Sequence, residues 1–388
     1  MAPKRRTPIE AKDLKGLKYF KVLGPLLERL QDDATARDRA GNRRLFYDQY
    51  ACLLLLFFFN PVIKSLRGIQ QASELDKVQR LFGSERVALG SLSDASRVFD
   101  PELLHSIIGQ LATQSLPLIQ GREAEALRGL TAVDGSLLPA LPKMAWALWL
   151  NPQHRAAKMH VQFDVLKGIP VEATVTTGND SETEQLRKAL QALRLYVIDR
   201  GYAEYQLFQD IIDAGSDFIG RIRDNAVWQV VEERSLTAEA RAAHVLSDRI
   251  VRLGCADSGH VFKQNLRVVE IDTGKTDAKG RPDILRLATS RLDLDAELIG
   301  LAYRYRWTVE LFFRWFKCTL GCRHLLANSS DGVKIQVYLA LISSLLITLW
   351  AGRKPTVRTF EMLQFYFTGW ATEDELIAHL EKFKKQAK

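Results

Sequence analysis

The sequence predicts an α/β protein, a mixed sheet flanked by helices, with a helical N-terminal region and a β-rich insertion. Leucines recur at helical spacing near the N-terminus, at Leu23, Leu26, Leu27 and Leu30. From about residue 129, strand-like segments appear first and then alternate with helical ones, which is typical of a mixed sheet covered by helices. Residues 225–293 show strand patterns almost throughout. These three observations define the predicted fold class.

Composition and charge narrow the class of protein. With 388 residues, of which 47% are hydrophobic, the chain can form two or three domains with a large core. Lys and Arg outnumber Asp and Glu, 54 to 46, for a net charge of +8, which suits a polyanionic partner but does not prove one. Four cysteines are too few for a disulfide framework, so we expect reduced thiols in a cytosolic protein. Cys318, Cys322 and His324 lack a second pair at matching spacing, which disfavours a structural zinc site.

Two apolar runs could be membrane-spanning helices, and the N-terminus could be a secretory signal. MAPKRRTPIEAKDLKG has no apolar centre, which argues against a secretory signal. Residues 51–59 are much shorter than the roughly 20 residues that span a bilayer, and residues 337–352 are short and contain two serines and a threonine. We therefore expect buried core helices, no membrane partner and a cytoplasmic protein.

Residues 1–125 are predicted to be a helical, DNA-binding region. Helical patterns occur around 46–59, 72–82 and 101–116, with prolines and glycines between them. Basic residues are scattered through the region, and distributed Lys and Arg can follow a phosphate backbone. A solvated surface explains each of them equally well. They are Arg67, Lys77, Arg80, Arg86 and Arg97.

The rest of the chain is predicted to be a core interrupted once. The first part of the core, 126–224, contains five strand-like segments and two helical ones, the β-rich insertion covers 225–295, and the second part, 296–352, carries a charged helix. Residues 353–388 are predicted to be helical with a basic tail. The five strand-like segments are LTAVDGSLLPAL, AAKMHVQFDVL, VEATVTTG, LYVIDRGYA and DFIGRIR.

Two aspartates follow apolar strand segments. Asp134 is followed by Gly135, and Asp199 by Arg200 and Gly201, so each acid is predicted to end its strand at a sharp turn. If the two strands are parallel neighbours, both carboxylates meet at the same edge of the sheet, where open sheets place ligands. Each aspartate alone is explained as well by a turn or a helix cap.

The segment YRYRWTVELFFRWFK, at 303–317, is predicted to be one helix that carries an acid among cations. At about 100° per residue, its polar residues fall within an arc of roughly 80°. They are Tyr303, Arg306, Glu310, Arg314 and Lys317. Leu311 and the aromatic residues occupy the rest of the wheel, so we expect the helix to be buried on several sides. Ordinary helix salt bridges would give the same pattern.

Asp134, Asp199 and Glu310 together form a set of three carboxylates, with no thiolate or imidazole. Such hard oxygen ligands suit Mg²⁺ or Mn²⁺, and two ions about 3.5–4 Å apart can flank a phosphodiester. Arg306 is suited to a bidentate grip on phosphate and Lys317 to a point charge.

These motifs resemble the DDE transposases of bacterial insertion sequences. The resemblance rests on AVDGS, on VIDRGY, and on the Tyr-x2-Arg-x3-Glu-x6-Lys signature of insertion-sequence family 4, complete here as Tyr303, Arg306, Glu310 and Lys317. It extends over about residues 50–350. It implies a ribonuclease-H-like core with a β-rich insertion before the third acid, and Asp134, Asp199 and Glu310 as catalytic, metal-binding residues.

The resemblance also implies DNA-binding roles and a reaction. Tyr303, Arg306 and Lys317 would bind phosphates near the cleaved end, with Arg314 beside them, and Trp228 would stack on a flipped base or merely pack its strand. The implied function is cut-and-paste transposition with two Mg²⁺ or Mn²⁺ ions, on double-stranded transposon ends and target DNA. We expect a dimer on DNA and a nucleoid-associated bacterial protein. The alternatives are a nuclease of the same fold without strand transfer and a domesticated, non-catalytic DNA-binding protein.

Overall fold

A computed structural model describes the chain at residues 26, 30, 43–82, 85–141, 143–151, 154–255, 260–276, 280–354 and 356–384. The predictions for most of 1–42, and for the last residues of the basic tail, 385–388, lie outside the described residues.

Helices make up the described N-terminal region, as the sequence predicts. The helix expected at 72–82 is divided in two, because Glu74 and Leu75 interrupt it. Ser65 caps one of these helices by accepting a hydrogen bond from the backbone N–H of Gly68, and Asp100 and Pro101 begin another. The helices are α1 (Tyr47–Phe59), α2 (Leu66–Ser73), α3 (Asp76–Phe82), α4 (Leu89–Val98), α5 (Pro101–Gln114) and α6 (Arg122–Ala126).

A mixed sheet forms the centre of the protein. Its first strands lie in the order β4-β3-β1-β5-β6, where β3 runs antiparallel to both of its neighbours and β1, β5 and β6 run parallel. This arrangement confirms the predicted ribonuclease-H-like mixed sheet. The strands are β1 (Leu130–Pro139), β2 (Leu148–Asn151), β3 (His154–Asp164), β4 (Ile169–Thr177), β5 (Leu195–Ile198) and β6 (Asp217–Arg221), with β2 beside β3.

The predicted β-rich insertion is present, and it continues the same sheet. Its strand β11 pairs antiparallel with β6, and the order continues β11-β10-β8-β7. The insertion is therefore hydrogen-bonded to the core over a short ladder, from Leu287 opposite Arg221 to Thr289 opposite Ile219. Its elements are β7 (Trp228–Glu233), α9 (Ala238–Ala242), β8 (Val245–Cys255), β9 (His260–Val261), β10 (Leu266–Thr276) and β11 (Pro282–Thr289).

Helices cover both faces of the sheet. On one face, α7 (Glu182–Lys188) and α8 (Tyr205–Asp213) pack on a core that includes Val133, Tyr196 and Ile198. On the other face, the neighbouring residues of the same strands, such as Ala132 and Val197, join a larger core. This alternation is the period-two pattern of a strand. The larger core is covered by α10 (Ala296–Tyr305), α11 (Trp307–Arg314), α12 (Ser330–Ala351), α13 (Val357–Phe367) and α14 (Glu373–Lys384), together with the N-terminal helices.

The apolar helix α12 is the centre of the larger core. Ser330–Leu349 is long and apolar enough to cross a membrane, but 89% of it is buried inside the protein, as in the core helix of a globular fold. It packs against α5 and β4. It ends at Gly352, whose φ of 62° is the left-handed cap that glycine adopts at low cost. These contacts agree with the prediction of a buried helix in this segment.

A buried ion pair ties the insertion to the segment that leads into α10. Arg267 and Asp248 have side chains 2% and 5% exposed, and they form two hydrogen bonds, Nε to Oδ1 at 2.7 Å and Nη2 to Oδ2 at 2.8 Å. The same guanidinium donates to the backbone carbonyls of Leu292 and Leu294. Arg267 therefore connects β8 and β10 to the chain just before the helices that carry the signature.

Replacing Arg267 with alanine is expected to lower the free energy of unfolding by about 3–5 kcal/mol, because Asp248 would be left charged and buried without its partner. Chemical denaturation, followed by circular dichroism, measures the change. Arg86→Ala is the matched control: the pair of Arg86 with Glu74 is 67% and 44% exposed, so less than about 1 kcal/mol is expected. Equal losses in the two variants would contradict the buried-pair account.

Candidate active site

Asp134 and Asp199 lie side by side on neighbouring parallel strands. The pairing of β1 with β5 runs from Leu130 opposite Leu195 to Ala132 opposite Val197. Each aspartate follows that last pair by the same number of residues, so the two share one register position. Both belong to the face of Ala132 and Val197, because side chains alternate along a strand. This confirms that the two strands are parallel neighbours, the condition on which the predicted acidic site depends.

The prediction that Asp134 ends its strand is wrong. Strand β1 continues to Pro139, because β3 goes on pairing with it from Asp134 opposite Val161 to Pro139 opposite Ala156. Only the parallel neighbour stops, since β5 ends at Ile198. Asp134 therefore lies in the middle of a strand, at the point where the sheet loses one partner and opens.

Of the two glycines beside the acids, only Gly201 lies in the predicted sharp turn. Gly135 lies within the strand, and a Cβ atom there would come within 2.6 Å of Oε1 of Glu182. It therefore permits a close approach. Gly201 does lie in a tight 3-10 turn, Arg200–Tyr202, where its N–H donates to Oδ1 of Asp199 at 2.7 Å.

The environment of Asp134 favours its protonated form. Burial raises the pKa of Asp134 to about 6, and the charges of Glu182 and Asp199 act in the same direction. The N–H of Gly135, which donates to Oδ1 at 2.8 Å, and the charge of Arg306 oppose the rise in pKa. A carboxyl group held among other carboxylates with too few cations is typical of functional sites.

Glu310 approaches the same face from α11. This helix packs on β1 through Val309, Phe312 and Phe313, and the ring of Phe312 lies 5.1 Å from that of Phe163 on β3. Oε1 of Glu310 accepts a hydrogen bond at 2.9 Å from Nη2 of Arg306, which is itself mostly buried. In this arrangement the third acid is engaged by the signature arginine.

The predicted single helix over 303–317 is wrong in its detail. Helix α10 ends at Tyr305, α11 begins at Trp307, and Trp315–Thr319 continue as a π-helix. At the break, Oγ1 of Thr308 donates to the carbonyl of Tyr305 at 2.7 Å. Lys317 lies in the π-helix, a rare form that is found often at functional sites.

The other signature residues still gather around the aspartates. Burial raises the pKa of Tyr303, and the charge of Asp199 adds to the rise. Burial lowers the pKa of Lys317, while the charge of Asp134 opposes that change. The guanidinium of Arg306 lies 5.7 Å from the ring centre of Tyr303 and is also within electrostatic reach of Asp134. Tyr303, Arg306 and Lys317 thus each lie within electrostatic reach of one of the two aspartates.

Arg314 and Trp228 are not drawn into this group. Arg314 is exposed on the outer side of α11. Trp228 begins β7, at the opposite end of the strand order, and its half-buried ring packs against the core that contains Tyr202 and Phe208. Packing of Trp228 within its strand, instead of stacking on a base, was the alternative that the sequence left open.

Glu182 is a site neighbour that the sequence did not identify. It lies in the first turn of α7, after the cap Ser181, where the helix dipole stabilises a negative charge. The carboxylate of Glu182 also faces Gly135 and lies 3.4 Å from Nζ of Lys158. Its charge and that of Asp134 both raise the pKa of buried Tyr202. The glycine next to Asp134 was the only signal of this contact.

The donor set fits a hard divalent cation, although the three acids are not gathered. Asp134 and Asp199 offer carboxylate oxygens at one register position, and oxygen ligands suit Mg²⁺ and Mn²⁺. Within the described ranges, no group of three His, Cys, Asp or Glu side chains is close enough to hold a metal ion. Glu310 is paired with Arg306 instead. Cys322 is buried and Cys318 is exposed.

Comparison with known proteins gives consistent results. The model of the family described as transposase DDE domain matches residues 125–346, more than half of the chain. A putative transposase, y4zB, of Sinorhizobium fredii is 28% identical over 245 residues, which cover 63% of this chain and 65% of that protein. A probable transposase for insertion sequence element IS5377 of Geobacillus stearothermophilus is 27% identical over 302 residues, 76% of this chain and 74% of the relative.

A solved structure of the piggyBac transposase synaptic complex with hairpin DNA aligns with 98% of this chain and 86% of that one. The identity is 11% and the TM-score 0.43, a likeness too weak to support a conclusion.

The raised pKa of Asp134 predicts a stability effect with a defined sign. In metal-free protein, Asp134→Asn is expected to raise the melting temperature at pH 7.5, because the wild type must bury a charge there. The gain should shrink as the pH falls from about 6 to about 4 and vanish below that, where Asp134 is neutral in both the folded and the unfolded state. Calorimetry in EDTA across this range measures it. Asp213→Asn, at an exposed position, controls for loss of charge; a stabilisation by Asp134→Asn that did not change with pH would contradict the account.

Proposed function

Since the chain belongs to the transposase DDE-domain family, we propose that it is an insertion-sequence transposase that moves DNA by cut and paste. The observation that carries the proposal is the shared register of Asp134 and Asp199 on the face where the Glu310 helix packs. The complete Tyr303, Arg306, Glu310 and Lys317 signature supports assignment to insertion-sequence family 4.

We propose that two Mg²⁺ or Mn²⁺ ions bind to Asp134, Asp199 and Glu310. When bound, such ions lower the pKa of an attacking water or 3′-hydroxyl and stabilise the leaving oxygen. In the free protein, Asp134 and Asp199 repel each other and Glu310 rests on Arg306. With a cation held between them, Asp134 and Asp199 would no longer repel each other, and the carboxylate of Glu310 would leave Arg306 to join them.

The release of Glu310 gives Arg306 a second role. Its guanidinium, no longer neutralised, can make a bidentate, charge-assisted grip on a DNA phosphate. Tyr303, stacked near the guanidinium, holds that group in place and offers a hydroxyl to the same phosphate. Lys317 contributes a positive charge close to Asp134. The exchange of partners would couple occupation of the site to the binding of the DNA strand.

The reaction proposed for this site has two kinds of step. Water first displaces the 3′-oxygen at the transposon end, so a P–O bond to water forms as the strand breaks. The freed 3′-hydroxyl then attacks the opposite strand, becomes esterified and releases one alcohol oxygen. A second water hydrolyses that ester and frees the 3′-hydroxyl again, which finally attacks the target and releases another alcohol oxygen. All are in-line displacements at phosphorus, which the same residues can serve in turn. A bacterial, nucleoid-associated protein that pairs two ends as a dimer suits this chemistry.

The regional division of the chain remains part of the proposal. We assign 126–224 and 296–352 to the catalytic core, 225–295 to the insertion, and 1–125 and 353–388 to flanking regions. Of these, 1–125 is proposed to bind DNA. The ladder between β6 and β11 makes core and insertion one hydrogen-bonded sheet, which would hold the insertion at a constant angle to the site.

Asp134→Asn, Asp199→Asn and Glu310→Gln are each expected to reduce cleavage of the transposon end to background, because each removes a negative ligand while keeping the size of the side chain. DNA binding should survive, since the cations remain. With the DNA that flanks the gene as substrate, nicking assays measure cleavage and gel-shift assays measure DNA binding. Glu239→Gln, an exposed acid of the insertion, is the control; normal nicking by Glu310→Gln would refute the triad.

A joining assay separates transposition from simple hydrolysis. Precut ends and a target plasmid should give joined product with the wild type and none with the triad variants. Hydrolysis without joining would favour a nuclease of this fold, and DNA binding without any metal-dependent cleavage would favour a domesticated DNA-binding protein.

A further inference from the structure

A small cavity lies behind the strand that carries Asp134, on the face of the sheet that α7 covers. Val133, the residue before Asp134, forms part of its wall. The volume of the cavity is about 20 Å³, more than the roughly 10–15 Å³ that one water molecule needs. The cavity can therefore hold a single water molecule, provided that its polar lining offers the right partners.

Three polar side chains of the lining come from three different elements. Tyr202 belongs to the turn that Asp199 begins, His160 to β3, and Glu182 to the first turn of α7. His160 lies opposite Gly135 in the pairing of β1 with β3, and Glu182 faces the same glycine. The cavity is therefore bordered by both of the segments that carry the aspartates of the acidic site.

Two buried polar atoms of this lining have no hydrogen-bond partner among the described residues. They are the hydroxyl oxygen of Tyr202, a residue only 1% exposed, and Nδ1 of His160, a residue 8% exposed. Gln162, another polar residue of the lining, already donates to the carbonyl of Ala189 at 2.7 Å. Buried polar atoms without a protein partner are commonly satisfied by an internal water molecule.

The protonation of these groups defines how a water molecule would bind. The hydroxyl of Thr176 donates to the carbonyl of Thr177 at 3.0 Å, so at 2.8 Å it accepts from Nε2–H of His160. Burial and the charge of Lys158 lower the pKa of His160 to about 4. The ring is therefore neutral at pH 7, and its Nδ1 is an acceptor. Burial raises the pKa of Tyr202 well above its usual range, so its hydroxyl keeps a proton to donate.

We propose that this cavity is a binding site for one water molecule, which accepts a hydrogen bond from Tyr202 and donates to Nδ1 of His160 and to the carboxylate of Glu182. The donor and the two acceptors use the water completely, with three hydrogen bonds. Resting on the proposed function, this water has a positioning role. It joins the turn that begins at Asp199 to the strands beside Gly135, and so fixes the distance between the two aspartates.

The distance between the aspartates matters because Mg²⁺ requires nearly ideal octahedral coordination. A small shift of Asp199 relative to Asp134 would therefore weaken binding of the cation. Tyr202 contacts neither the cation nor the DNA and acts only through the water, as a positioning residue. Its hydroxyl should affect the affinity for the cation but not the affinity for DNA, because the Lys and Arg side chains that would bind phosphate are unaltered.

Tyr202→Phe tests the positioning role, because it removes the hydroxyl and keeps the ring in the core. Calorimetric titration of Mn²⁺ into the complex with a precut transposon end should show an affinity reduced by about 10-fold. The Mn²⁺ concentration for half-maximal nicking should rise by a similar factor, with unchanged DNA affinity in gel shifts. Tyr47→Phe is the matched control: Tyr47 is equally buried, but its hydroxyl donates to the carbonyl of Asp100 at the start of α5. It should bind Mn²⁺ like the wild type.

A stability comparison tests the water without any cation. His160→Gln keeps an amide donor for Thr176 but lacks Nδ1. In EDTA, Tyr202→Phe should therefore lower the free energy of unfolding less in the His160→Gln background than in the wild type, because the water has already lost a partner there. A crystal structure should show one water molecule within hydrogen-bond distance of Tyr202, His160 and Glu182.

The outcomes separate the water site from its role and from the proposed function. Additive losses of stability, or a direct hydrogen bond from Tyr202 to Glu182 with no water between them, would overturn the water site. Wild-type Mn²⁺ affinity in Tyr202→Phe would overturn the positioning role. A wild type that binds no Mn²⁺ on DNA would contradict the proposed function, and the stability comparison would still decide the water site.

Discussion

The parallel pairing of β1 with β5 is the constraint on which the site depends. It places Asp134 and Asp199 at one level of the sheet although 64 residues lie between them in the sequence. Because β5 stops at Ile198 and β1 does not, the sheet opens at that level. A shift of one residue in this register would turn one carboxylate to the opposite face, toward the core of Val133 and Ile198. Such a shift is costly because it would move buried apolar residues out of the core, so the position of the acids follows from the burial of their neighbours. These residues are Leu130 and Ala132 of β1 and Leu195 and Val197 of β5.

The site concentrates negative charge that the free protein tolerates at a cost. Asp134 is held near Asp199 and Glu182, which favours its protonation, while Arg306 neutralises Glu310. Gly135 gives Glu182 the space to approach, and Lys158 partly compensates its charge. Unfavourable electrostatics of this kind are common where a protein is preorganised for a cation or a transition state. The buried pair of Arg267 and Asp248, by contrast, is fully satisfied and supports the approach to the signature helices.

Much of the fold was predictable because its signals are local. The strands, the β-rich insertion and the buried apolar helix each follow from hydropathy patterns, and Asp134 and Asp199 stand out as acids beside apolar runs. The break at Arg306 and the π-helix at Lys317 were not predictable, since hydrophobic periodicity does not distinguish one continuous α-helix from a helix with a break or a π-turn. The helix that carries Glu310 was expected to be buried on several sides, but Trp307 is 52% exposed and Leu311 is 48% exposed. Their exposure was missed for a related reason: a helical wheel shows which residues share a side but not which side is covered. Glu182 was missed because it can approach Asp134 only where Gly135 has no side chain, and a sequence pattern does not show that space.

The central claim is that Asp134, Asp199 and Glu310 share divalent cations during the reaction. The most direct measurement is an experimental structure of the protein bound to a precut transposon end in Ca²⁺, an ion that can fill the site without rapid turnover. The account predicts that the Glu310 carboxylate leaves Arg306 and meets both aspartates around the cation, with Arg306 on a DNA phosphate. A cation bound without the aspartates, or Glu310 still paired with Arg306 beside a filled site, would contradict it.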